Sequence, residues 1–178
     1  KKLYQDICAA IENHETSVHI GEFNSKEESD EAVKWIKNIY RQLIYEQPDY
    51  FWVSPYEYTV NEVKDGKKYN LSLLFSYNMD EDTARIKEQE YQKKVNEIVE
   101  HAKAENGKVL YVHDYILENC RYDYELAKKD KADLGVSAYG CLIEGSTICS
   151  GYTLAFTSIM QKLGIEVGSE FNNYAQFS

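Results

Sequence analysis

The apolar positions recur at helical and strand spacing in a clear order along the chain. Leu3, Ile7, Ala10 and Ile11 share one helical face and predict a helix from Leu3 to about Asn13. His14 follows at its end, a helix-terminal position. Val18 to Phe23 alternates as a strand does, which turns His19 away from Val18 and Ile20 toward solvent. Ser25-Lys-Glu-Glu28 is a capping box, and the helix it opens carries Ala32, Val33, Ile36, Ile39, Tyr40, Leu43 and Ile44 on one face until Pro48 ends it. Asp49-Tyr-Phe-Trp-Val53 then reads as an aromatic plug over that helix end and the sheet. Two alternating runs, Tyr56 to Val63 and Tyr69 to Tyr77, flank Asp65-Gly66 and predict a hairpin with a tight turn. Leu71, Leu73, Phe75 and Tyr77 line its helix-facing side.

The second half is mainly helical. Asp80 caps a helix to about Glu105, striped by Ala84, Tyr91, Val95, Ile98, Val99 and Ala102, and Asn106-Gly107 stops it. The acids Asp80, Glu81 and Asp82 belong to that first turn, since no Gly and Glu follow at calcium-loop spacing. Val109, Val112, His113, Ile116, Leu117 and Cys120 form one face of the next helix, which gives His113 a structural position. Lys128 to Gly135 is a charged loop, and Ser137 to Ile143 a short helix or turn. The last helix carries a stripe of Tyr152, Phe156, Ile159, Met160 and Leu163. Ser146 or Thr147 is placed to cap it, and Gly164 is its left-handed stop, with Ile165 folding back.

Cys149 sits in the first turn of that helix. Unpaired N–H groups and the positive end of the helix dipole lie there, and both favour a thiolate. Gly151 leaves the neighbouring backbone bare, so that a substrate can come close. The four cysteines, Cys8, Cys120, Cys141 and Cys149, are separated by 112, 21 and 8 positions, which matches neither a CxxC pair nor a zinc site. No metal or cofactor is implied. Cys8 and Cys120 fall on apolar faces; Cys141 is placed equally well in the core or near Cys149.

Composition narrows the partners. Twenty basic against thirty acidic residues give a net charge of −10, which argues against a nucleic acid. No apolar run reaches the length of a membrane span, about 18 residues. Sixteen tyrosines are many for 178 residues and suit core positions with the hydroxyl at the edge.

The run Ser137-Ala-Tyr-Gly140, Leu142, Gly145, Ile148-Cys-Ser-Gly-Tyr152, Ala155-Phe156 and Lys162-Leu-Gly-Ile165 resembles the nucleophile segment of bacterial transglutaminase-like proteins. Val112-His-Asp-Tyr-Ile116 and Tyr122-Asp123 resemble the preceding helix of that family and its exit. The resemblance covers roughly the last 70 residues. It implies an α+β fold: an N-terminal helix–strand–helix–hairpin–helix region, 1–106, packed on the helical half of a transglutaminase-like (cysteine proteinase-like) core, 107–178. It also implies that Cys149 forms a thioester on a protein or peptide amide, resolved by an amine or by water. The backbone N–H of Cys149 or Ser150, helped by Tyr139, would hold the oxyanion. The segment Pro48 to Trp52 resembles the leader of secreted members, which points to an extracellular or cell-surface location and a substrate related to the cell wall. The family's histidine and aspartate follow the nucleophile on later strands. No histidine follows His113 here, so the catalytic core is expected to be cut short before both. A catalytically incomplete binding module is the alternative.

Overall fold

A computed structural model of the chain describes residues 1–129 and 134–167. Part of the expected charged loop, 130–133, and the chain beyond residue 167 lie outside the described residues. The fold is α+β. Helix α1 (Lys2–Glu12) leads into strand β1 (Ser17–Phe23), helix α2 (Lys26–Glu46), and strands β2 (Val53–Asp65) and β3 (Lys68–Tyr77). Helices α3 (Glu81–Ala104) and α4 (Lys108–Asn119) follow, then a two-residue strand β4 (Arg121–Tyr122). A π turn (Gly140–Glu144) leads to β5 (Ser146–Thr147) and helix α5 (Cys149–Lys162). The antiparallel sheet has the order β1-β3-β2.

Local chemistry sets most of these boundaries. Ser25 accepts the Glu28 N–H at 3.2 Å while the Glu28 carboxylate accepts the Asn24 N–H at 3.0 Å, so the box closes one residue early on its return arm. Asp80 Oδ1 accepts the Thr83 N–H at 2.9 Å and opens α3. Gly164, at φ 70, ends α5 in a left-handed turn. There Gly164 N–H donates to Gln161 O and Ile165 N–H to Met160 O, the paired bonds of a Schellman stop. In the hairpin Asp65 pairs with Lys68, so the turn residues are Gly66 and Lys67, and only Gly66 takes a positive φ. The expected turn at Asp65-Gly66 is therefore shifted by one residue.

The two halves share one core. Leu71, Leu73 and Phe75 of the central strand are buried, with α2 packed on that strand and α1 on β1. The stripe expected for α3 is buried at every position. The plug joins the halves: the Phe51 ring lies 4.9 Å from Tyr139 and 5.1 Å from Tyr91, and 5.3 Å from Trp52 edge-on. Next to it Asp49 accepts hydrogen bonds from Ser158 of α5 and Gln92 of α3, both at 2.8 Å.

Two helices bury less than their periodicity predicts. In α4 only Val112 and Ile116 are buried, with Cys120 just beyond, because the helix meets α3 and α5 along a narrow edge. Val109, Leu117 and His113 of the expected face are exposed. His113 Nδ1 lies 2.9 Å from a carboxylate oxygen of its neighbour Asp114. In α5 the buried face is Gly151, Leu154, Ala155, Ser158 and Ile159, with Met160 beside it, while Tyr152, Phe156 and Leu163 are only half-buried. The helix approaches its neighbours through small residues, so the line of large ones is rotated to the flank. His14, at φ 53 and half-buried, stacks on Tyr77 with ring centroids 4.9 Å apart.

Candidate active site at the start of helix 5

Cys149 is the first residue of α5 and is exposed, whereas Cys120 and Cys141 are buried and Cys8 half-buried. The expected caps do not form. Ser146 and Thr147 are taken up in β5, parallel to β4, and extended Ile148 precedes the helix with no side-chain cap. The N–H groups of Cys149 and Ser150 have no acceptor inside the helix by its geometry. They are thus left beside the thiol, where a developing oxyanion can use them.

The ground beneath this turn is close-packed backbone. Thr147 is fully buried and its hydroxyl donates to Gly135 O at 2.6 Å. Ser150 Oγ donates to Val136 O at 3.0 Å, so the side chain of the residue after the cysteine points down into the support. Ser137 Oγ donates to Leu134 O and accepts the Gly140 N–H. A Cβ on Gly140 would stand 2.5 Å from Gly135 O, so two glycine backbones cross in contact there. Asp123, after β4, accepts the N–H groups of Leu126 at 2.8 Å and Glu125 at 3.0 Å, and the Ser146 hydroxyl at 3.4 Å. These bonds, the Leu126 one first, hold its carboxyl below the usual range.

Two expected site residues are used differently. Gly151 is buried, and its missing Cβ makes room for Thr147 and the Ser137 carbonyl rather than for a substrate. Tyr139 is buried with its hydroxyl donating to Glu90 at 2.7 Å and accepting from Lys87 at 3.1 Å, so its donor is already committed to α3. Burial first, then the Glu90 bond, push that phenol above its ordinary value. Among the described residues, no histidine hydrogen-bonds Cys149, and no cluster of side chains suits a metal ion.

Sequence reasoning missed the cavity beside the thiol. A pocket of about 340 Å³ opens between α2, β2 and the start of α5, with Tyr45, Phe51, Tyr56, Ser150 and Leu154 in its wall. The phenol of Tyr45 is held above its ordinary value by burial, then by Tyr56 and Cys149. A register shift in β2 between Val53 and Tyr58 lifts Pro55 and Tyr56 out of the ladder toward this pocket. Ser54 braces that bulge by accepting the Glu57 N–H at 3.0 Å. Pro55, just before the alternating run that starts at Tyr56, is the available signal, since proline at a strand marks its first residue, an edge or a bulge.

No helix among the described residues is long and apolar enough to cross a membrane. No curated protein matches the chain. Residues 92–176, from the middle of α3 onward, match the model of the transglutaminase-like superfamily, and over this stretch the chain carries a transglutaminase-like domain.

Proposed function

We propose that the protein is a cysteine acyl-transfer enzyme in which Cys149 attacks the amide of a protein or peptide. The observation that carries this reading is the exposed Cys149 at the head of α5 inside a transglutaminase-like segment. The Sγ–carbon bond forms, the carbon–nitrogen bond breaks, and the amine leaves with a proton from a general acid. The thioester is then opened by an amine or by water. The N–H groups of Cys149 and Ser150, which have no acceptor inside the helix, support the oxyanion role. The resemblance assigns the base and its orienting carboxylate to strands after the nucleophile helix. A cell-surface location and a substrate related to the cell wall belong to the same proposal and rest on the resemblance.

The second reading is a binding module that keeps the fold without turnover. It is favoured by the lack of a histidine partner for Cys149 among the described residues. Incorporation of a labelled amine into a glutamine peptide separates the two. Turnover lost on Cys149→Ala supports the enzyme; turnover that survives it rejects the nucleophile; no turnover by the full-length protein on amide or peptide substrates favours the binding module.

A further inference from the structure

The cavity beside Ser150 has a chemistry of its own. Its wall is mostly aromatic and aliphatic, and several of its polar groups are already engaged. Asn78 donates to the carbonyls of Phe51 and Val53 at 3.2 and 3.3 Å, and Ser150 donates to Val136 O. An occupant therefore gains chiefly from leaving water. The volume, about 340 Å³, lies at the small end of ligand pockets, roughly 300–1,000 Å³. That suits one large side chain. Among the described residues Arg41 is the single charged side chain in the wall, and its Nε donates to Tyr58 Oη at 2.8 Å. A fixed guanidinium there disfavours a lysine or arginine occupant. Ser150, the residue after Cys149, is in the wall together with Leu154, so whatever fills the cavity is held against the first turns of α5.

We propose that this cavity is the specificity pocket of the site, taking a bulky uncharged apolar side chain, aromatic by preference, from the peptide whose amide Cys149 attacks. The inference rests on the nucleophile reading of Cys149. It assigns the choice of substrate to α2 and the bulge of β2, which lie outside the stretch that matches the superfamily model.

The test has a binding arm and an alkylation arm, both on the whole chain. N-acetyl-phenylalaninamide is expected to bind at least about tenfold more tightly than N-acetyl-glycinamide, the gain from burying one phenyl ring. Chloroacetyl-phenylalaninamide is expected to alkylate Cys149 faster than chloroacetyl-glycinamide by a similar factor, each rate normalised to iodoacetamide. Tyr56→Ala removes a side chain that is 58% exposed, so the core stays intact, and it is expected to shrink both ratios severalfold. Tyr124→Ala, an exposed aromatic outside the wall, keeps them. Equal binding of the two amides overturns the pocket whatever Cys149 does. Tight phenylalanine binding with equal alkylation rates places the pocket away from the thiol and also overturns the proposal. Failure of iodoacetamide to select Cys149 counts against the nucleophile reading instead, and the binding arm still decides the pocket.

Discussion

Gly151 is seated against Thr147 so closely that a Cβ on the glycine would overlap the threonine side chain and stand 2.8 Å from the Ser137 carbonyl oxygen. The first turn of α5 is thereby pressed onto the backbone that supports Cys149. Gly151→Ala forces this contact apart, and the neighbours are backbone and a fully buried side chain that cannot swing away. A loss of about 1–3 kcal/mol is expected, the usual cost of overpacking. Urea unfolding measures it; an unchanged midpoint would mean that the turn relaxes freely.

The Asp49–Ser158 hydrogen bond spans 109 positions and ties the plug to α5. Ser158 is 1% exposed, so Ser158→Ala removes one of the two side-chain hydrogen bonds that Asp49 accepts among the described residues, leaving that from Gln92. A loss of about 1.5–3 kcal/mol is expected, the range for a bond to a charged group. One cooperative transition with an unchanged slope should persist, because the core is continuous between the halves. Two separated transitions would contradict that continuity.

The two examples divide what the sequence shows from what it hides. Ser25, Asp80 and Gly164 act within a few residues of themselves, and each capped or stopped its helix as the pattern implied. The face of α5 did not follow from periodicity. Tyr152 and Phe156 mark a stripe by size, yet Gly151, Ala155 and Ser158 turn inward, since the close approach admits only small residues. The α4 face failed for a related reason: burial depends on what covers a face, and Val109 and Leu117 are left uncovered among the described residues. The place of Cys149 at the head of α5 was legible because the cysteine, the apolar stripe and the helix stop lie in one short run. The cavity was not, since Tyr45 and Leu154 in its wall are more than 100 positions apart.

Asp123 links stability to pH near the site. Its folded-state carboxyl is depressed by the N–H groups of Leu126 and Glu125 and by Ser146. A depressed acid contributes stability above its unfolded value, near 3.9, and loses it as pH falls through the lower folded value. Asp123→Asn should therefore melt below the wild type at pH 7, and the gap should close as the pH is taken down through that window. A gap that stays constant with pH would assign the effect to shape rather than charge.

The four cysteines should separate by reactivity. Burial pushes the Cys8 thiol up and the Cys141 thiol well up, and Cys120 is 5% exposed, while Cys149 is open to solvent. Iodoacetamide in the folded protein should modify Cys149 first, then Cys8, with Cys120 and Cys141 reached only on unfolding. Peptide mapping over time reads the order, and labelling of Cys8 ahead of Cys149 would contradict the exposed site.

The most direct measurement is acylation of the thiol by an activated ester of a glutamine-type acyl group. A nitrophenolate leaves without needing a proton, so this step reads the nucleophile and oxyanion donors separately from any general acid. The protein is quenched in acid, weighed intact and mapped by peptide mass. The account predicts one acyl group on Cys149, absent in Cys149→Ala and released by an added amine. An acyl group on another residue, or the same adduct in Cys149→Ala, would contradict it.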